Sequence, residues 1–449
     1  MTSPSSLVDS TPSSPLNSDV GGLGDRGTWL LSGPQMSEGM ETIANHIARL
    51  GALPSWSRSE LRAIVRESGL QGRGGGRFPL AQKIDTAFLA PGEPIMVVNA
   101  SESEPASRKD LILCGYRPHL VLDGAAATAA MVGAREVIVH LHRGSPFVRD
   151  ALVSAVAERK TAGLDDPEWR ISVGPDRYVA GEASAIASFL NGGEARPHFS
   201  GTPMARKGPS GRPTLINNAE TMAHLAFLLR FGAALWRSGG TRTSPGSQLL
   251  TLCGEVGVPG QVFELVGQAT IGDVLLHAGV TAPPAAVLVG GYGGTWLEGN
   301  MAWQVPFERT ALGCVGAQPG CGLVGVLPHG ACGLGETARI VRYMAGESAG
   351  QCGPCVSGLP LIARACDDLG EGKLRRRGLR RLQSLCGLVS GSGACSHPDG
   401  VVRLVQTMLD VFEDDVVRHL AGRPCRASNH PPVFSVPIPV SDVLDQVWR

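Results

Sequence analysis

The stretch AGESAGQCGPCVSGLP, residues 345–360, sets Cys352 and Cys355 at a Cys-x2-Cys spacing, with Ala349 where a third cysteine would extend the run. Thiolates so spaced can ligate an iron–sulfur cluster, form half of a zinc site or act as a redox dithiol. A loop that has lost its ligand is the fourth reading. Far upstream, GRGGGRFP (72–79) packs glycines around Arg73. Glycines let backbone N–H groups converge on an anion, and the arginine adds charge. The loop lacks the strand and Gly spacing of a dinucleotide fingerprint, and no Gly-Lys-Ser/Thr follows it. Taken alone, a surface turn explains it as well as a phosphate site.

Three further stretches bear on that choice. NASESEPASRKD (99–110) follows a β-branched run, so Asn99, Glu102 and Glu104 belong at a strand's carboxyl end, where α/β proteins bind ligands. YVAGEAS (178–184) sets Tyr178, Gly181 and Glu182 after another strand-like run. PTLINNAET (213–221) offers Asn217, Asn218 and Thr221 as hydrogen-bonding groups for a planar heterocycle or a polyol chain. Each alone reads as a solvated loop or helix cap; the four in order do not.

The totals narrow the class. At 449 residues the chain has room for several domains, and 40 acidic residues balance 40 basic ones, which gives no nucleic-acid footprint. Eleven irregularly spaced cysteines argue against a secreted disulfide framework and for a reducing compartment. No apolar run is long enough to span a membrane. The Ser/Pro-rich opening lacks a basic start and an apolar core, so it reads as a disordered leader and the location as cytoplasmic.

The elements that must position these residues follow from periodicity. SRSELRAIVRESGL (57–70) is a capped helix, and the runs at 94–101, 136–142 and 169–175 are buried strands separated by helices. The alternation predicts a three-layer α/β domain with a mostly parallel sheet over 28–242, after a leader at 1–27. Residues 243–332 read as a small α+β module, with two strands around a Val-Pro-Gly turn. Residues 333–425 carry four amphipathic helices, a bundle with the Cys-x2-Cys in its first loop, and 426–449 is a Pro-rich tail.

Together the Arg-Gly-Gly loop, Asn-Ala-x-Glu-x-Glu-Pro, Tyr-x-x-Gly-Glu and Asn-Asn-x-Glu-Thr resemble, in order and over roughly residues 50–425, the NADH-oxidising flavoprotein subunit of respiratory complex I. Its relatives include subunits of NAD-linked hydrogenases and formate dehydrogenases. The resemblance implies an FMN-binding α/β domain, a β-grasp-like module at 243–332 and a helical iron–sulfur bundle. It implies hydride transfer from NAD(P)H to FMN, then single electrons to a [4Fe–4S] cluster and a ferredoxin-like or other redox subunit. By the same resemblance Gly72, Arg73, Gly74 and Gly75 hold the FMN phosphate, and Lys83 sits near the flavin. Asn99, Glu102, Tyr178, Gly181, Glu182, Asn217, Asn218 and Thr221 complete the pocket. Phe78 and Glu104 match residues near the dinucleotide, and Glu104 and Glu182 stand as the catalytic pair. Cys352, Cys355 and Cys395 match three of four cluster ligands.

The departures cluster on the dinucleotide side. Ala183 replaces an acidic residue, SGTP at 200–203 replaces a Lys-Pro-Pro-Phe clamp, and Thr86 and Ser101 replace an aromatic and an acid. Arg77 stands where the family keeps glycine. These changes open two alternatives: ferredoxin or another donor in place of NADH, or a cofactor-poor scaffold. Ala349 leaves the fourth iron to Ser348, His397, Cys332 or water, or makes the cluster three-iron. Cys366 and Cys386 fall on helix faces as core residues.

Overall fold

The computed structural model describes residues 21–23, 27–199, 201–423, 425, 430–437 and 448–449. In chain order the first part comprises β1 (Gly21–Leu23), α1 (Ile43–Leu50), α2 (Arg58–Ser68), α3 (Leu80–Leu89), β2 (Ile95–Asn99), α4 (Lys109–Tyr116), α5 (Pro118–Val132), β3 (Glu136–His142), α6 (Pro146–Thr161), β4 (Glu168–Gly174), α7 (Ala183–Leu190), β5 (Thr214–Asn218) and α8 (Ala219–Ser238). Strands β4-β3-β2-β5 form one all-parallel sheet.

Its side chains alternate between two apolar layers. Met96, Val98, Val137 and Val139 pack under α5, α6 and α8, whereas Ile95, Val97, Ile138 and Ile216 meet Ile186 of α7. Burial on both faces explains the unbroken β-branched runs. The chain steps from β2 to β3 to β4, then returns to β5 on the other side of β2. The switch point therefore lies between β2 and β5, where Asn99 and Asn218 pair in register. Ligands of open α/β sheets bind outside the strand ends at such a crevice.

The second part comprises β6 (Gln248–Gly254), β7 (Val262–Leu265), α9 (Ile271–His277), β8 (Ala286–Val289), β9 (Thr295–Glu298), α10 (Gly299–Gln304), α11 (Arg309–Cys314), β10 (Leu323–Leu327), α12 (Gly333–Gly346), α13 (Leu359–Gly370), α14 (Arg376–Val389), α15 (His397–Val411) and α16 (Glu413–Leu420). A six-stranded mixed sheet, β1-β7-β6-β10-β8-β9, buries one face against α9 and α10 and the other against the helices from α12 onward. No helix among the described residues is long and apolar enough to cross a membrane.

Several features differ from the expectation. Residues 21–23, read as leader, pair in parallel with β7, while 1–20 lie outside the described residues. The last predicted helix is broken at Phe412, whose ring packs edge-on against Trp296, giving α15 and α16. Part of the tail is structural: Phe434 is buried beside Trp296, and Trp448 packs under Arg177 and Arg196. Cys366 and Cys386 are buried core residues, as expected.

Close helix packing supports the first sheet. A Cβ on Gly124 of α5 would lie 1.9 Å from the Met222 carbonyl oxygen of α8, so only glycine permits this approach. Asp123 beside it accepts from His46, Arg159 and Arg230, tying α1, α5, α6 and α8 together. Gly124→Ala is expected to cost about 1–3 kcal/mol through forced separation of α5 and α8. A lowered urea midpoint checks this; an unchanged midpoint would mean the contact relaxes freely.

Candidate functional site

The cleft at the switch point is built by loops following β2, β4 and β5, together with the glycine loop between α2 and α3. Two contiguous cavities of about 280 and 430 Å³ share Gly74, Gly75, Tyr178, Glu182, Gly290 and Gly320 as walls. Their sizes bracket the lower range of small-molecule sites. The first also touches Asn99, Glu102, Glu104, Lys109 and Asn218; the second reaches Cys395, His397 and Arg403. One continuous space thus runs from the strand ends to a cysteine in the helical bundle.

Close backbone approach shapes the walls. A Cβ on Gly181 would fall 2.0 Å from Ser103 Oγ, and one on Gly320 would fall 2.1 Å from the Gly290 carbonyl oxygen. Glu102 adopts a left-handed φ of 44°, a conformation that costs energy outside glycine and is typically held at functional sites. It is fixed by Ser107 Oγ and by the Leu111 N–H, which donates at 2.6 Å. Burial, then the adjacent Asp110, push the Glu102 carboxyl up to about 7.

Glu104 is also buried. Its Oε2 accepts from the Tyr292 N–H at 2.9 Å and from the Tyr178 hydroxyl at 3.2 Å. Its Oε1 is buried with no hydrogen-bond partner. Burial pushes this carboxyl up to about 7 despite Tyr292, Tyr178 and the Ala106 N–H, which all favour the charged form. Because Oε2 is occupied as an acceptor, the proton of the neutral acid belongs on Oε1.

Below the cleft, Lys109 Nζ sits 2.9 Å from Asp110 and 3.0 Å from Glu220, and donates to Asn218 Oδ1 at 3.3 Å. Burial alone would raise the Glu220 carboxyl, but Lys109, His224 and Arg73 hold it well below its usual range. Asn218 caps α8 through the Glu220 N–H and donates to Asp110 at 2.6 Å. The positive end of α8, whose first helical stretch runs to the kink at Gly232, therefore opens onto the cleft beside Gly74.

The expected site residues divide into two groups. Gly74, Gly75, Asn99, Glu102, Glu104, Tyr178, Gly181, Glu182 and Asn218 line the cleft. Gly72, Arg73, Phe78, Lys83, Asn217 and Thr221 are not among its walls. Arg73 is buried, with its backbone N–H donating to Thr221 Oγ1 and its guanidinium to the Pro245 carbonyl. Lys83 donates to the Ile216 carbonyl, beside Asn217, and Phe78 is half exposed. Arg77 takes a left-handed φ of 48°, the conformation a glycine would adopt without strain, and is held by Gln248. Glu182 caps α7, accepting from the Ser184 and Ala185 N–H groups.

Sequence reasoning missed Lys109, Cys321, Gly290, Gly320 and Arg403. Lys109 lies in the quoted NASESEPASRKD stretch, and its charge among acids was the available signal. The others come from a separate sheet or helix, with no local pattern linking them to the cleft.

The cysteines converge at the bundle end of the same space. Cys355 lies in a single π-helical turn, Pro354–Gly358, that enters α13; such turns recur at functional sites. Burial, then the neighbouring Cys352, push the Cys355 thiol up to about 12. Burial would raise Cys352 too, but N–H groups of Ala394 and Cys355 hold it below its ordinary value. Burial raises Cys395, which also feels Glu182 of the cleft wall and Cys352. Three thiols in mutual electrostatic reach suit a soft cluster. Ala349 is buried against Val179 and Trp448 and offers no ligand atom. The glycine-walled cleft, its helix N-terminus and the orphaned Glu104 Oε1 suit a planar, phosphate-bearing cofactor.

Comparisons with known proteins agree with this arrangement. Residues 65–226 match the Nuo51 FMN-binding domain, and residues 329–419 match the NADH-ubiquinone oxidoreductase-F iron-sulfur binding region. The chain is 28% identical over 410 residues to the F subunit of the NADH-quinone oxidoreductase of Streptomyces coelicolor, covering 89% of this chain and 90% of that one. It is 28% identical to the Escherichia coli counterpart over 391 residues, covering 81% and 85%. Among solved structures, the air-oxidised NAD+-reducing [NiFe]-hydrogenase superposes with a TM-score of 0.75 at 28% identity. That match covers 85% of this chain and 65% of the hydrogenase chain, so the chain spans just under two thirds of it. With its two functional regions matched in order and the cleft where the first of them folds, the chain is similar over most of its length to the flavoprotein (F) subunits of NADH-quinone oxidoreductases.

Proposed function

We propose that the chain oxidises NADH through FMN and passes electrons singly to an iron–sulfur cluster and onward to a partner redox subunit. The observation that carries this reading is the single space joining the β2/β5 switch point to Cys395. Bound FMN supplies hydride acceptance and one-electron release, chemistry the side chains lack. Gly74, Gly75 and the α8 N-terminus would hold its phosphate, with Arg73 and Thr221 fixing the loop from behind. Asn99, Glu102, Tyr178 and Asn218 would orient the rest.

The chain's own residues set the protonation of the cleft. In its protonated form Glu104 would present a proton on Oε1 to a bound ring or amide, while Tyr178 holds its other oxygen. Tyr178 also packs tilted against His397, centroids 5.5 Å apart, so it stands between the cleft and the cluster loop. A different donor is a second reading, favoured by Arg77 and the half-buried Thr86 on the dinucleotide side. Anaerobic titration distinguishes them. NADH bleaching of bound flavin is expected; bleaching by reduced ferredoxin alone would replace NADH as donor, and a colourless protein would overturn the reading.

For the fourth iron, Cys332 is too far: α12, 14 residues long, separates it from the 349–355 loop by about 20 Å. His397 is the stronger candidate, because its Nε2 donates to the Met344 carbonyl at 2.8 Å and its buried Nδ1 has no partner. His397→Ala is expected to lower iron retained per chain, and adding Ala349→Cys to restore it toward about four irons. Iron content indifferent to both changes would leave that position to water or to a three-iron cluster.

A pH signature follows from Glu104. Its folded-state value of about 7 exceeds the ordinary 4.5, so the folded protein holds a proton that the unfolded chain releases between those values. The stabilisation is full below about pH 4.5 and lost as pH rises to about 7. Buried histidines such as His224 and His142, held down to about 4, act in the opposite sense over much of this range. The comparison with Glu104→Gln isolates the effect. The stability difference between wild type and variant should change by about 1–3 kcal/mol between pH 4.5 and 7. A constant difference in urea midpoints would show that Glu104 ionises normally.

A further inference from the structure

Away from the cleft, three metal-ligating side chains meet in the bundle without any role in the chemistry above. Cys332, His419 and Cys425 are all buried, and their ligand atoms lie within 4.8 Å of one another. They come from distant parts of the chain. Cys332 is the N-cap of α12, His419 lies in the last turn of α16, and Cys425 follows that helix.

The hydrogen bonds fix the imidazole tautomer. His419 Nδ1 lies 3.0 Å from the Leu369 carbonyl oxygen, which can only accept, so Nδ1 carries the proton. Nε2 lies 2.9 Å from the Cys425 backbone nitrogen, whose N–H can only donate, so Nε2 presents its lone pair. Cys332 Sγ stands 3.9 Å from the same nitrogen. A neutral imidazole anchored through Nδ1–H to a carbonyl is the usual arrangement behind a metal-ligating histidine. Cys332 Sγ also accepts from the Gly335 N–H at the start of α12.

We infer that Cys332, His419 and Cys425 bind a structural zinc ion, separate from the iron–sulfur cluster, with a fourth donor from outside the triad. Two sulfurs and one imidazole are the donors that a tetrahedral zinc site takes. On binding, the two thiols each lose a proton to solvent, and the metal takes the Nε2 lone pair in place of the Cys425 N–H. The ion would fasten the chain after α16 to the first turn of α12 and, through Leu369, to α13. Residues 430–437 also lie against the bundle. There the Val433 and Phe434 N–H groups donate to Glu336 of α12. The site would therefore hold the C-terminal strap against the bundle rather than transfer electrons.

The test is metal analysis of the full-length protein purified without oxygen from zinc-supplemented cells. About one zinc per chain is expected in addition to iron. Zinc absorption-edge spectroscopy on the wild-type protein should show sulfur at about 2.3 Å and nitrogen at about 2.0 Å. Cys425→Ser and His419→Gln should each lower bound zinc at least several-fold while iron is retained. The Cys352→Ser/Cys355→Ser pair should lose iron and keep zinc. Zinc absent from the wild-type protein, zinc lost with the Cys352/Cys355 pair, or a Cys332–Cys425 disulfide in the anaerobic protein would each overturn the proposal. The wild-type spectrum decides the matter even if the variants fail to fold.

Discussion

The buried ammonium of Lys109 is the interaction on which the cleft depends. It bridges Asp110 on its own helix and Glu220 on α8, and it reaches Asn218 at the end of β5. Glu220 in turn accepts from the Leu249 N–H of the second sheet. One cation thus joins the loop after β2, the N-terminus of α8 and the start of β6, the three pieces that meet around the ligand space. Removing one member of such a buried set leaves uncompensated charge, at a cost of about 3–5 kcal/mol. The site is held by electrostatics beneath it, so the cleft surface can remain glycine backbone and a few polar tips.

Around that knot the two halves of the molecule have different tasks. The parallel sheet delivers Asn99 and Asn218 side by side at its switch point, a consequence of strand order and register alone. The mixed sheet contributes Gly290, Gly320 and the Tyr292 N–H that pins Glu104. The bundle adds Cys395 and His397 to the far wall. Tyr178 joins the first part to the bundle, through Glu104 on one side and Tyr343 and His397 on the other. The order of the cofactors in space follows from this layering.

Local chemistry decides how much of this was readable in the sequence. The runs at 94–101 and 136–142 are legible as strands because burial on both faces favours β-branched residues, and 169–175, a partly exposed edge strand, through its alternating Trp169, Ile171 and Val173. Gly181 and Glu104 are legible because each sits in a short motif after a strand, and Gly74 because it sits in a glycine-rich loop between two helices. Lys109 is hidden because a lysine beside an aspartate usually marks a solvated surface, and only the fold reveals its burial. The bend at Phe412 and the packing of Phe434 and Trp448 depend on partners far away in sequence. The triad of Cys332, His419 and Cys425 is invisible for the same reason, since α12 to α16 intervene between the first ligand and the other two. Arg77 shows the converse: its departure from glycine is visible in the sequence, and the left-handed backbone gives it a physical meaning.

The central claim is that one continuous space carries electrons from a flavin at the switch point to a cluster held by Cys352, Cys355 and Cys395. Freeze-quench electron paramagnetic resonance after anaerobic mixing with NADH tests it most directly. A reduced-cluster signal is predicted to rise as the flavin absorbance falls, and Cys395→Ser to remove the signal while flavin bleaching persists. Flavin fully reduced by NADH with no cluster signal at any time in the wild-type protein would contradict it.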